Sequence, residues 1–175
     1  MSVNVDFTEH LMDYEIEIIK RLAQKEGLLV LASGLSTQKI LLSFLKPYCD
    51  STELILVLNG TQNEVNRIAL EMCCSGVVNV PKYISDLTQK KRNQLYNKGG
   101  VYFASSQVLI LDFLKNVVDR PVHGIIVLNA EKASKNFDES FIISLAQSKG
   151  LNFTIGISDQ PSKISKALPQ VCQIN

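Results

Sequence analysis

The stretch Leu54-Ile55-Leu56-Val57-Leu58-Asn59-Gly60-Thr61 decides the fold. Five consecutive aliphatic residues run into an asparagine, a glycine and a threonine. A strand with one wet face alternates apolar and polar residues. An unbroken apolar run needs both faces covered, as a central parallel strand does. Asn59-Gly60 is a turn signal, and a helix is predicted over 61–74, with Val65, Ile68, Ala69 and Met72 inward.

The same alternation continues in both directions. Toward the amino terminus, a strand is predicted over 28–32, a turn over 33–36 and a helix over 37–48, with Ile40, Leu41, Phe44 and Leu45 on one face. Before them lies an amphipathic helix carrying Leu11, Tyr14, Ile18 and Leu22, with Asp6 and Glu9 as a capping box and Gly27 as its stop. Toward the carboxyl terminus, a strand over 77–80 closes at Pro81. A polar helix over 82–98 starts at Ser85, and a strand follows over 101–104. Ser105 caps a helix running to Leu114. A strand over 123–128, a helix over 138–149 and a last strand over 153–157 complete the pattern. Strands alternating with helices predict an α/β fold: a doubly wound, mainly parallel sheet with helices on both faces. The segment 161–175 reads as the start of a connection to a following domain, and 1–175 as a single domain.

Composition narrows the chemistry. The chain has 175 residues, 18 basic and 17 acidic, a net charge of +1 and 46% hydrophobic residues. That is ordinary globular composition, without a general basic coat for nucleic acid. The longest apolar runs are far shorter than a membrane span, so no membrane partner is expected. His10 and His123 are the only histidines, which argues against a metal centre and a hydrolytic triad. Cys49, Cys73, Cys74 and Cys172 include no C-x-x-C pair and read as reduced, mostly buried thiols of an intracellular protein.

Ligands of open parallel sheets bind beyond the carboxyl ends of the strands. The turn after the first strand reads Ala32-Ser33-Gly34-Leu35-Ser36-Thr37-Gln38-Lys39. A phosphate loop requires G-x-x-x-x-G-K-[ST], so that backbone amides wrap the phosphates and a lysine reaches the outer ones. Counted from Gly34, the second glycine is Lys39 and the lysine is Ile40. The pattern is broken, and Lys39 reads as a solvated helix lysine. After the 123–128 strand, a nucleoside triphosphatase would place an aspartate and a glutamate. Leu128 and Asn129 stand there, and Glu131 reads as a surface acid. His123 reads as structural. No catalytic residue, metal or cofactor is expected. The basic segment Lys82, Lys90, Lys91, Arg92 and Lys98, against Asp86 alone, either tracks a phosphate backbone or forms an exposed polar helix.

Several stretches, in order, resemble the amino-terminal helicase-like region of the XPF family, the large subunit of a structure-specific DNA repair endonuclease. They are 54–59, Gly99-Gly100-Val101-Tyr102-Phe103-Ala104-Ser105-Ser106, Leu109-Ile110-Leu111-Asp112-Phe113-Leu114, Gly124–Val127 and Glu139-Ser140-Phe141-Ile142. The resemblance spans about residues 10–160. It implies a first RecA-like lobe of a helicase that has lost its motor. Gly34, Lys39, Asn129 and Glu131 then mark a degenerate ATP site. Asn59, Gly60, Thr61 and Gln62 resemble one strand-contacting motif, and Ser105, Ser106 and Gln107 a second. Together with Lys90, Lys91 and Arg92 these are the candidate DNA-binding residues. Ser158-Asp159-Gln160-Pro161 resembles the motif that couples the two lobes. Gln107 stands where the family usually has arginine, and the basic run near Glu131 is missing. The E-R-K-x-x-x-D nuclease signature is absent. The resemblance implies weak binding of branched or single-stranded DNA by the lone lobe, in the nucleus. Its partners would be the rest of the endonuclease, its small subunit and a repair scaffold protein. The alternative function is a protein-interaction scaffold that docks nuclease regulators and binds little DNA.

Overall fold

The computed structural model describes residues 11–24, 27–133 and 137–164. Its strands are β1 (Gly27–Val30), β2 (Leu54–Leu58), β3 (Lys82–Tyr83), β4 (Gly100–Ala104), β5 (Gly124–Leu128) and β6 (Phe153–Ser158). They form one sheet in the order β1-β6-β5-β2-β4-β3, and every pairing is parallel. The helices are α1 (Asp13–Leu22), α2 (Thr37–Cys49), α3 (Gln62–Cys74), α4 (Gln89–Lys98), α5 (Ser106–Leu114), α6 (Ala130–Ala133), α7 (Asp138–Gln147) and α8 (Pro161–Ile164). This is the doubly wound sheet that the alternation predicts.

All five residues of β2 are buried. Ile55 and Val57 join a core with Ile19 of α1, Ile40 and Leu45 of α2 and Val65 and Ile68 of α3. Leu54, Leu56 and Leu58 join a second core with Tyr96 of α4, Leu109 and Phe113 of α5 and Ile142 and Ala146 of α7. Successive side chains therefore enter opposite helix layers, and that explains the unbroken apolar run.

Four local expectations are corrected. Gly27 opens β1 instead of stopping α1, which ends at Leu22 with the Ala23 N–H on the Ile19 carbonyl at 3.0 Å. Asp6 and Glu9 lie outside the described residues. The first turn of α1 is closed by Glu15, whose Oε2 accepts from the Met12 N–H at 2.8 Å. No strand forms over 77–80: the Val77 N–H closes the end of α3 on the Met72 carbonyl at 3.1 Å, and Val78 is 83% exposed. Pro81 has no N–H to give a ladder, so pairing begins after it, at Lys82. Ser85 does not start α4. Its Oγ accepts from the Ser105 N–H at 2.8 Å, tying the end of β3 to the end of β4, and the helix begins at Gln89. Cys49 is buried, but Cys73 and Cys74 are exposed at the end of α3.

One buried charge joins α4 to α5. Asp112, 1% exposed, accepts from Arg92 Nε at 2.6 Å, Arg92 Nη2 at 2.7 Å and the Tyr96 hydroxyl at 2.8 Å. Arg92 Nη1 donates to the Leu87 carbonyl. The Asp112 hydrogen bond and charge raise the Arg92 pKa further and keep the guanidinium charged. Gly99 is required nearby. Its φ is 82°, and a Cβ there would collide with the Thr52 carbonyl.

Removing one partner of a buried ion pair strands the other charge, so Asp112→Ala is expected to cost roughly 3–5 kcal/mol. Calorimetry should show a Tm lowered by on the order of 10 °C. A shift of a degree or less would contradict the role. Alkali should also weaken the fold. Burial, then the Asp50 charge, pushes the Cys49 thiol up to about 12. Tyr96 is raised by burial and Asp112, Tyr48 by burial and Glu53, and Tyr102 by burial. Groups with raised folded values contribute stability that is complete below the unfolded values, about 8.5 for a thiol and 10 for a phenol, and is lost as pH rises past them. Urea midpoints should therefore fall between about pH 8.5 and 11. A flat profile would contradict this.

Candidate functional site

Because every strand is parallel, all carboxyl ends emerge on one edge of the sheet. The turns after β1, β2, β4, β5 and β6 meet there. At the β1 end, Ser36 and Thr37 open α2 and line a cleft of about 280 Å³ with Glu64 and Arg67 of α3, Asn129 and Asp159. Asn129, one of the residues expected at a degenerate ATP site, stands in its wall. Gly34 has φ 94° in the turn itself. Ile40, at the position a phosphate-loop lysine would take, is fully buried in the core. Lys39 is not the solvated lysine expected. Its ammonium lies 3.2 Å from Glu15 Oε2 and joins α2 to α1. The side chains that line the cleft include two acids, Glu64 and Asp159, and one base, Arg67. Such a lining opposes a polyphosphate.

Glu131 is likewise no surface acid. It is 4% exposed, and its Oε2 accepts from the Ser158 hydroxyl at 2.6 Å. The one-turn helix α6 folds it over the end of β6.

The centre of the edge is built from amides. Asn59 and Asn129 adopt left-handed backbones, φ 62° and 50°, a conformation asparagine tolerates better than most residues. Asn129 Nδ2 donates to the Asn59 carbonyl at 3.3 Å. Asn59 Nδ2 donates to Glu139 Oε1 at 3.1 Å. Glu139, in the first turn of α7, is 2% exposed, and its Oε2 has no hydrogen-bond partner among the described residues. Gly60 lies against Phe103, where a Cβ would come within 2.6 Å of the ring. Thr61 caps α3: its Oγ1 accepts from the Glu64 N–H at 3.3 Å, while Glu64 Oε2 accepts from the Thr61 N–H at 2.7 Å.

Leu58 pairs with Ala104 in register, so the turns that follow β2 and β4 are neighbours. The amino termini of α3 and α5 thereby place Asn59, Gly60, Thr61 and Gln62 beside Ser105, Ser106 and Gln107. Gln62, on the exposed first turn, donates to Asn66 Oδ1 at 2.9 Å. The basic candidates do not join this group. Arg92 is held by Asp112. Lys90 lines a shallow groove with Asn93, Lys115 and Asn116 at the carboxyl end of α5. That is one length of α5, about 13 Å, from the strand ends where the helix begins. Lys91 is exposed on the same helix as Lys90.

No protein-family model matches the chain. The DNA repair endonuclease XPF of Drosophila melanogaster is 33% identical over 155 residues, which cover 86% of this chain and 15% of that protein. The XPF of Cricetulus griseus is 31% identical over 141 residues, 79% of this chain and 15% of that protein. The chain is homologous to the XPF family. It spans about 15% of the length of these XPF relatives. The Hef helicase domain of Pyrococcus furiosus matches with a TM-score of 0.70 over 91% of this chain and 35% of that chain, at 19% identity. With that likeness, the six parallel strands have a RecA-like fold. The XPF-like stretch Gly99–Ser106 contains the Gly99 contact, β4 and the Ser105 tie. The XPF-like stretch Leu109–Leu114 contains Asp112.

Glu139, Glu15 and Asp112 have no role in the sequence-based site. Asp112 carries a visible signal, being the only charge in the apolar helix SQVLILDFL. Glu139 and Glu15 carry none, since acids in a first helical turn are common on surfaces. Gly60→Ala should force the fully buried Phe103 ring aside and cost roughly 1–3 kcal/mol. The urea midpoint should drop with an unchanged slope. An unaltered midpoint would refute the close approach.

Proposed function

We propose that this chain is a helicase-like lobe of an XPF-type repair endonuclease that hydrolyses no nucleotide itself and holds branched or single-stranded DNA. The carrying observation is the adjacency of the turns after β2 and β4. Two helix amino termini, with amide and hydroxyl side chains beside them, stand together on the sheet edge. Such groups grip phosphates without reading bases. Contact at this edge is weak, because its own turns carry no lysine or arginine among residues 59–62 and 105–107. Ile40 in place of the phosphate-loop lysine, and Leu128-Asn129 in place of the acidic pair, support the loss of the motor. The rest of the endonuclease and its small subunit complete the groove, in the nucleus.

Titration of labelled single-stranded and forked DNA at low salt tests this reading. Weak, salt-sensitive binding is expected, and Gln62→Glu with Ser106→Glu should reduce it about tenfold, near 1.4 kcal/mol. Absence of binding at low salt, or indifference to the paired change, would overturn the DNA reading. Turnover of ATP with magnesium would overturn the loss of the motor. The scaffold alternative has its own support in the exposed apolar side chains of α5 and α7.

A further inference from the structure

The helix layer formed by α4, α5 and α7 is unusual on its outer side. Ten large apolar side chains are exposed among the described residues, and four belong to the packed pair α5 and α7. On α5 these are Leu111, 51% exposed, and Leu114, 58% exposed. On α7 they are Phe137, at the cap and 90% exposed, and Phe141, 45% exposed. Spacings of three and four residues put each pair on one face of its helix. The inner faces of both helices are already spent in the core through Leu109, Phe113, Ile142 and Ala146.

A basic corner adjoins this surface where α5 ends. Lys90 and Lys115 line the same open groove, of about 440 Å³. Lys149 reaches the corner from beyond α7: its ammonium donates to Asn116 Oδ1 at 3.2 Å and to the Val118 carbonyl at 2.7 Å. None of the three lysines is in an ion pair among the described residues, and Asp119 on the adjoining loop pairs with none of them. Among the described residues, then, no carboxylate pairs with the lysines of this corner.

We infer that the outer face of α5 and α7 docks an amphipathic helix of another protein segment, with its apolar stripe over Leu111, Leu114 and Phe141 and acidic side chains facing Lys90 and Lys115. Charge complementarity selects the acidic partner, and the exposed leucines and phenylalanines select a protein over a nucleic acid. A phosphate backbone would satisfy the lysines, yet it would leave the apolar side chains against a hydrated, charged surface. An apolar helix stripe buries them and carries its acids at the rim. Leu114, Lys90 and Lys115 lie at the far end of α5 from the turns after β2 and β4, so this docking does not depend on the DNA reading.

The probe is a fluorescein-labelled synthetic helix with leucines at i, i+3, i+4 and i+7 and flanking glutamates, titrated with the full chain. Controls are a scrambled peptide, a version with lysine in place of glutamate, and a single-stranded oligonucleotide. The acidic helix should bind at least about tenfold more tightly than either control peptide. Leu111→Ser with Leu114→Ser, and separately Lys90→Glu with Lys115→Glu, should each weaken it about tenfold or more. All four positions are exposed, and unchanged Tm values would establish that both variants fold. Gln62→Glu with Ser106→Glu should leave peptide binding intact, which separates this docking from DNA contact. The inference is overturned if the acidic helix does not bind, or if the leucine pair has no effect. It is equally overturned if the lysine pair abolishes oligonucleotide binding while peptide binding is unchanged.

Discussion

Strand β2 has no free surface. Its backbone is paired to β4 on one side and β5 on the other, and its side chains enter two helix layers in turn. As a strand covered on one side only, five consecutive aliphatic residues would leave one face in water. The rest of the architecture follows from covering both faces: three helices for one core, three for the other, and all strand ends on one edge. The parallel arrangement then sets the location of function, because only at that edge do five turns and several helix amino termini converge.

Two kinds of polar contact keep the layers and the edge in register. The Arg92–Asp112–Tyr96 cluster is a buried charge satisfied by two donor residues, and it clamps α4 onto α5. Along the edge, hydrogen bonds run sideways from turn to turn: Ser158 to Glu131, Asn129 to Asn59, Asn59 to Glu139, and the Ser105 N–H to Ser85. Where a nucleotide machine would hold lysine and paired acids, this edge holds amides and hydroxyls bonded to one another and to the buried Glu131 and Glu139. The cleft at the β1 end is lined by Glu64 and Asp159 as well as Arg67, a balance of charge that does not favour a polyphosphate. Lys39 does not line the cleft, and its ammonium pairs with the buried Glu15.

The positive charge of the chain lies elsewhere. In sequence, Lys90, Lys91 and Arg92 look like one basic run for nucleic acid. In space the run divides: Arg92 is consumed internally, and Lys90 joins Lys115 and Lys149 beside exposed leucines on the outer helix layer. The strand-end turns and the helix-layer surface thus differ in chemistry, one polar with buried acids and no lysine or arginine in the turns after β2 and β4, the other apolar with a basic rim.

Periodicity and turn chemistry alone determined the fold class, the strand β2, the limits of α3 to within a residue, and the broken phosphate loop. These are local properties: aliphatic runs, Asn-Gly turns, and the spacing of glycine and lysine. Tertiary structure decided the rest. Val77 and Val78 have β propensity, but the Val77 N–H closes α3, and Pro81 delays β3 to Lys82. Glu15, Asp112, Glu131 and Glu139 are buried, although acids in helical turns ordinarily face water, because donors distant in sequence come to meet them. Whether a charge is a ligand contact or a structural clamp depends on what lies across from it, and that is set by packing between elements far apart in the chain.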